Sequence, residues 1–68
     1  MKSLTERIRT DLTAKILSGI YPPGGKLPTE RDYAKQSGVS RVTVRRVYDQ
    51  LERSGIISRR PSGLRKTN

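Results

Sequence analysis

The chain has 68 residues and carries fifteen Lys and Arg against six Asp and Glu, for a formal net charge of +9. A chain this short forms one small domain, near the lower limit at which a hydrophobic core alone sustains a fold. Cysteine and histidine are both absent, which excludes disulfides, thiolate or imidazole metal sites and histidine-dependent catalytic triads. The carboxylates are scattered and none accompanies a nucleophile or a metal-ligand set, so we expect no enzyme, no metal and no cofactor.

The positive charge is concentrated in the second half of the chain. Residues 1–34 hold six basic and four acidic side chains, a balance of +2, whereas residues 35–68 hold nine and two, a balance of +7. Such a field attracts polyanions. A membrane-binding helix would need large apolar or aromatic residues opposite its basic face, and the aromatic residues here are three tyrosines. We therefore favour nucleic acid over membrane as the partner. No apolar run reaches signal-peptide or membrane-span length, so we expect a soluble cytoplasmic domain.

The first helix is predicted at residues 4–18. Ser3 and Glu6 have the S-x-x-E spacing of a capping box, which satisfies backbone donors at a helix N terminus. Ser18 and Gly19 form a stop signal. The apolar stripe expected to face the core recurs every four residues and consists of Leu4, Ile8, Leu12, Ile16 and the neighbouring Leu17.

A loop and a short second helix follow. Three prolines and two glycines between residues 21 and 28 remove helical donors and open a turn. Thr29 can cap a helix whose first turn carries acidic residues, which the helix dipole favours. Helix two is therefore predicted at residues 30–37, ending at Gly38.

Residues 38–47, GVSRVTVRRV, can be read as a strand or as a helix. Alternating valines suit a half-buried strand. The apolar pattern nevertheless continues to the helix-stop pair Ser54-Gly55. In a helix each residue is rotated by about 100° from the one before it. The side chains that then fall within an arc of about 100°, the width of a buried stripe, are Val44, Val47, Tyr48 and Leu51. A third helix is therefore predicted at residues 41–54, with Ser40 as its N-cap.

The segment at residues 56–66 is predicted as strand, turn and strand. Ile56 and Ile57 are β-branched, and Pro61-Ser62-Gly63 has the proline and glycine of a turn. Residues 66–68 are expected to form a frayed end.

Helices two and three, joined through one glycine-centred turn, form a helix-turn-helix candidate, in which the second helix lies in the major groove. The face of helix three opposite its core stripe carries Arg45 and Arg46, with Arg41 on the flank. Arg41 and Arg45 can each present a two-donor fork to guanine or clamp a phosphate. Val42, exposed among them, can contact a thymine methyl group.

The other candidate DNA-contacting residues could also have a purely structural role. Ser40 can be a simple cap or can also face a phosphate, and Thr43 can bond back within its helix. Arg31 is either a surface charge or a backbone contact, and Arg46 can be a diffuse phosphate-steering charge. In the predicted hairpin, the minor-groove candidates are Arg59 and Arg60 before the turn and Ser62 and Gly63 at its tip.

Three motifs resemble one family of regulators. They are LPTERD at 27–32, GVSRVTVR at 38–45 and LERSGII at 51–57. These are similar to L-P-S/T-E-R-x-L-A, V-S-R-x-T-V-R and L-x-x-x-G-hydrophobic in the winged helix-turn-helix DNA-binding domain of GntR-family transcriptional regulators. The resemblance runs from about residue 4 to residue 63.

The resemblance implies a mainly α fold of three helices with a small β-hairpin wing. It also implies a bacterial repressor or activator that binds double-stranded operator DNA, expected to be palindromic, as a homodimer. The positions that match DNA-contacting residues of the family are Arg31, Ser40, Arg41, Val42, Thr43, Arg45 and Gly63.

The chain departs from the family pattern at three places. Val42 replaces a common threonine, and Val47-Tyr48 replaces Ala-Leu. Residues 63–67, GLRKT, stand in place of the family's G-x-G-T-hydrophobic-Val return strand.

Family members carry a C-terminal domain that binds a small metabolite and supplies most of the dimer interface. Since that domain does not fit here, we expect one winged helix-turn-helix domain over residues 1–68. It would be either an excised domain or a minimal stand-alone regulator, with weak or absent dimerisation and an effector only through the missing domain. A protein-interaction module is the competing function, because fold alone does not decide the partner.

Overall fold

A computed structural model describes residues 3–60 and 64–68 and contains three helices followed by an antiparallel hairpin. The order along the chain is α1 (Leu4–Leu17), α2 (Glu30–Ser37), α3 (Arg41–Arg53), β1 (Ile57–Arg59) and β2 (Arg65–Thr67). This architecture confirms the predicted three-helix fold with a β-hairpin wing. No helix among the described residues is both long and apolar enough to cross a membrane.

Each helix begins at the hydroxyl side chain that the sequence predicts. The side-chain oxygens of Ser3, Thr29 and Ser40 each accept the backbone N–H three residues further on, at 3.1–3.2 Å. Each bond satisfies one of the donors that a helix N terminus leaves without an intrahelical partner.

Helices α1 and α3 end one residue earlier than predicted. Ser18 and Ser54 are C-caps and not helical residues. The chain turns at the glycines that follow them, because Gly19 and Gly55 have φ values of 87° and 78°. Only glycine adopts this left-handed conformation at little steric cost.

The core lies where α1 and α2 pack against α3 and β1. Its buried apolar side chains are Ile8, Leu12, Leu27, Tyr33, Ala34, Val44, Val47, Tyr48, Leu51 and Ile57. The predicted stripe of α1 is wrong at both ends, since Leu17 is 82% exposed and Leu4 is also exposed. At about 100° per residue Leu17 lies about 140° around the helix from Leu12, so it does not share the face that the core covers, and Leu4 is the first residue of α1.

The bulky pair at positions 47 and 48 fits this core. Val47 and Tyr48 are fully buried, and the Tyr48 ring packs 6.2 Å from that of Tyr33. The Tyr48 hydroxyl donates to the carbonyl of Pro28 at 2.7 Å, and the Tyr33 hydroxyl donates to Asp11 at 2.6 Å. Burial is the main cause that raises the pKa of both tyrosines, whereas the bond from Tyr33 is the main cause that lowers the pKa of Asp11.

The return strand of the wing forms, one residue further along than predicted. Ile57 pairs with Thr67, and Arg59 pairs with Arg65, so Ile56 precedes the hairpin pairing. The expectation of a frayed end at residues 66–68 is wrong, since Thr67 is only 2% exposed.

The reason is a third segment that bonds to the other edge of β2. The N–H of Gly24 donates to the carbonyl of Thr67 at 2.8 Å, and the N–H of Thr67 donates to Gly25 at 3.0 Å. The N–H of Leu27 also donates to the carbonyl of Arg65 at 3.1 Å. Strand β2 therefore lies between β1 and the proline-rich loop, which satisfies its backbone on both edges.

We predict that two leucine truncations in α1 will have opposite outcomes. Leu12→Ala leaves a cavity in the core and should lower the free energy of unfolding by about 2–5 kcal/mol. Leu17→Ala removes the same atoms from an exposed site and should change it by less than about 0.5 kcal/mol. Urea denaturation followed by circular dichroism measures both, and equal losses would contradict the placement of α1.

Candidate nucleic-acid interface

The turn between α2 and α3 is three residues long. Gly38 has φ 68° and ψ 29°, and its N–H bonds to the carbonyl of Ala34, which closes α2. The N–H of Val39 bonds to the same carbonyl at 3.1 Å, and its side chain packs against the core. Ser40 then caps α3 directly, so the turn places α3 immediately after α2 as a helix-turn-helix requires.

Helix α3 divides into a buried face and an exposed basic face. Its core stripe is buried, as predicted. Arg41, Arg45 and Arg46 are exposed, and Val42 is 58% exposed beside them. The structure therefore brings these four predicted site residues to the same outward side of the helix.

Arg31 joins this surface from α2. It is exposed and, together with Arg41, lines a shallow cleft that also includes Leu64 of the wing. This cleft brings predicted site residues of α2 and α3 next to the wing, although they are distant in sequence.

Ser40 and Thr43 form a local pair at the start of α3. The Ser40 hydroxyl accepts the N–H of Thr43 at 3.2 Å, and the two hydroxyl oxygens are 2.9 Å apart. Ser40 therefore acts as the N-cap of α3, as one of its two predicted roles required. The Thr43 hydroxyl bonds to the side chain of this cap. Both groups remain at the end of α3 where an anion is favoured by the helix dipole.

Arg65 forms an ion cluster that sequence reasoning missed. Its side chain is only 8% exposed, and its Nε donates to Glu52 at 2.6 Å. Its terminal nitrogens lie 3.7 Å from Glu30 and 3.7 Å from Asp49. The guanidinium also lies 4.9 Å from the centre of the Tyr48 ring, within cation–π range. No local spacing rule links these residues.

Arg45 is bonded through its Nε atom to Glu30, a member of the same cluster. Its Nε donates to both carboxylate oxygens of Glu30, at 3.1 and 3.4 Å, while 60% of its side chain is exposed. Asp49, in the third turn of α3, pairs with Arg65 of the wing.

The two arginines before the wing turn are both engaged within the molecule. Arg59 lies 3.6 Å from Glu52 and is about half exposed. Arg60 donates from a terminal nitrogen to the carbonyl of Gly24 at 3.2 Å. The predicted sites Ser62 and Gly63 lie outside the described residues.

The family model described as "Bacterial regulatory proteins, gntR family" matches residues 4–63. The chain belongs to the gntR family. The predicted resemblance is thereby confirmed over the range from which it was inferred.

Curated relatives of this gntR-family chain are longer proteins. It is 42% identical over 59 residues to "HTH-type transcriptional regulator Rv1152" of Mycobacterium tuberculosis, covering 87% of the chain and 49% of that protein. It is 44% identical over 52 residues to "Uncharacterized HTH-type transcriptional regulator Rv0494" of the same organism, covering 76% and 22%. The chain thus spans about a fifth to a half of the length of these two relatives.

Solved structures share the fold closely. A "GntR family transcriptional regulator from Listeria monocytogenes" superposes with a TM-score of 0.88 at 31% identity, over 97% of this chain and 59% of that one. The AraR DNA-binding domain "in complex with operator ORX1" superposes with a TM-score of 0.93 at 26% identity, over 100% of this chain and 82% of that one. The winged helix-turn-helix fold of this gntR-family chain is therefore established.

We predict that Ser40→Ala will lower the free energy of unfolding by about 1 kcal/mol, because the N–H of Thr43 loses its acceptor. Ser40→Asp should restore that stability, since aspartate is an equally good cap and its charge favours a helix N terminus. Urea denaturation of the three proteins is the measurement. Full stability in Ser40→Ala would show that the hydroxyl does not act as a cap.

Proposed function

We propose that this chain is a sequence-specific double-stranded DNA-binding domain of a bacterial transcriptional regulator, with α3 in the major groove. The observation that carries the proposal is the exposed face of α3, where three arginines surround Val42 while the opposite face is buried. The net charge of +9 supplies the attraction to phosphate. The AraR domain, described with operator DNA, has the same fold over the whole chain.

Within this proposal, the residues divide by the DNA group they would meet. Arg41 and Arg45 provide guanidinium forks for guanine or phosphate, and Val42 provides an apolar surface for a thymine methyl group. Ser40 and Thr43, at the start of α3, would contact backbone phosphate. The supporting contacts from α2, from the outer flank of α3 and from the wing would come from Arg31, Arg46, Arg59, Ser62 and Gly63.

The remaining expectations concern the protein as a whole. We propose a homodimer on a palindromic operator, because dimers of helix-turn-helix proteins read two half-sites. Residues 1–68 would form the whole DNA-binding unit, and an effector would act through a further domain. A non-enzymatic, cytoplasmic regulator is consistent with the family and with relatives named as transcriptional regulators.

A protein-interaction module is less well supported. Protein-binding surfaces are rich in aromatic anchors and depleted in most charged residues. The outward face of α3 has Val42 as its large apolar residue, and the tyrosine of α3 is buried. The polar character of this face therefore favours DNA.

Selection of bound fragments from a random duplex library would identify the operator. We predict that Arg45→Ala will weaken binding to the selected duplex by about 1–3 kcal/mol if its fork is bidentate to guanine. The double variant with Arg41→Ala should weaken binding further. Arg53→Ala, which removes the same charge from the last turn of α3, is the matched control. Unchanged operator binding by the double variant, measured by fluorescence anisotropy, would refute the proposed reading face.

We also predict a strong dependence of affinity on salt. If one chain neutralises about four phosphates, log affinity should fall against log salt with a slope of about −3.6. Anisotropy titrations at several salt concentrations measure this slope. A flat response would argue against an interface driven by phosphate contacts.

A further inference from the structure

The carboxylate of Glu30 is shared between two cations that lie on different elements. Its Oε1 atom accepts from Nε of Arg45 on α3 at 3.1 Å and lies 3.7 Å from a terminal nitrogen of Arg65 on β2. Glu30 is itself largely buried, with 13% of its side chain exposed. A buried carboxylate retains its charge only when cations or donors compensate it.

The contact leaves most of the donors of Arg45 for other use. Both bonds to Glu30 come from Nε. The guanidinium has five N–H donors, four of which are on its terminal nitrogens. A bidentate contact to guanine O6 and N7 needs two parallel donors of this kind.

The charge of Arg65 influences which N–H donors of Arg45 bond to the carboxylate of Glu30. A carboxylate beside a single arginine favours the fork-to-fork arrangement, with two parallel N–H bonds. In this arrangement a terminal nitrogen of Arg45 would be drawn into the pair and withdrawn from DNA. A second cation at the same oxygen lowers the advantage of that arrangement by compensating part of the charge.

Arg65 is well placed to act in this way because it cannot easily move. It lies in β2, which is bonded along both edges, and its Nε is anchored by Glu52 of α3 at 2.6 Å. The Tyr48 ring lies against its guanidinium. The position of its charge relative to Glu30 is therefore set by the wing and by the core together.

We propose that Arg65 is a positioning residue for DNA recognition: by sharing the carboxylate of Glu30, it keeps the terminal nitrogens of Arg45 available to bases. The inference rests on the proposed function, since it assumes that Arg45 contacts DNA. It adds a determinant of specificity in the wing that itself touches no base.

The test compares discrimination between two duplexes, one selected from a random library by the unmodified chain and one scrambled with the same composition. Arg65→Gln removes the charge but keeps an N–H donor for Glu52. It should lower discrimination about tenfold, the size of a coupling between groups in contact. Lys66→Met removes the same charge from the neighbouring residue of β2, which forms no ion pair with the described residues. It should weaken binding to both duplexes alike.

A second pair of variants, in which Glu30 has lost its charge, distinguishes a positioning role of Arg65 from a merely structural one. Glu30→Gln keeps an acceptor for Nε of Arg45 but has no carboxylate to pair with its terminal nitrogens. In that background Arg65→Gln should cause no further loss of discrimination. An equal loss in both backgrounds would show that Arg65 acts through the stability of the wing and would overturn the proposal.

A conservative variant protects the test against misfolding. Circular dichroism first confirms native helix content in each protein. Arg65→Lys keeps the positive charge and should retain discrimination within about twofold, so a tenfold loss in a folded Arg65→Lys protein would also refute the positioning role.

The failure of this inference differs from the failure of the proposed function. If Arg45→Ala discriminates as well as the unmodified chain does, the proposed reading role of Arg45 is wrong and the inference falls with it. If Arg45→Ala loses discrimination while Arg65→Gln keeps it, only the role of Arg65 is wrong.

Discussion

The buried guanidinium of Arg65 joins the wing to both helices of the helix-turn-helix. Its carboxylate partners come from α2 and α3, and its planar face lies over the ring of the core residue Tyr48. A charge buried this far is tolerated only with partners, and removal of one partner leaves an uncompensated ion. The wing therefore cannot shift relative to α3 without separating opposite charges.

The local parts of the structure were predictable because their causes lie within a few residues. Ser3, Thr29 and Ser40 accept N–H groups three residues away, and glycines close the helices. The division of α3 into buried and exposed faces follows from the 100° rotation per residue, which identified Val42 as exposed in spite of its β-branched character. The same rule accounts for the exposure of Leu17, which lies about 140° from Leu12 and was wrongly included in the stripe of α1.

The remaining features depend on contacts between residues that are far apart in the chain. Glu30 and Arg65 are brought together only when the wing folds back on α2, and no sequence pattern indicates such a pair. The pairing of residues 24–27 with β2 was also hidden, since the prolines and glycines of that loop indicate a turn and not a strand edge. For the same reason residues 66–68 were predicted to form a frayed end. The candidate site shows this division clearly: its exposed arginines were predictable, and the carboxylates that hold one of them were not.

The ion pairs also determine how much of the positive charge of the chain is available on its outer surface. Asp49 and Glu52 lie on the proposed DNA-facing helix α3 and Glu30 lies beside it on α2, where free carboxylates would repel phosphate. All three pair with Arg65 of the wing hairpin, and Glu52 also pairs with Arg59. Two of the nine basic residues of the second half, Arg59 and Arg65, therefore compensate acidic residues on and next to α3 and do not direct their full charge outward. The outward field arises from a smaller group of exposed residues, chiefly Arg31, Arg41 and Arg46, together with the exposed end of Arg45. The wing thus contributes to the positive potential of the recognition face through neutralisation, independently of any contact that its tip makes.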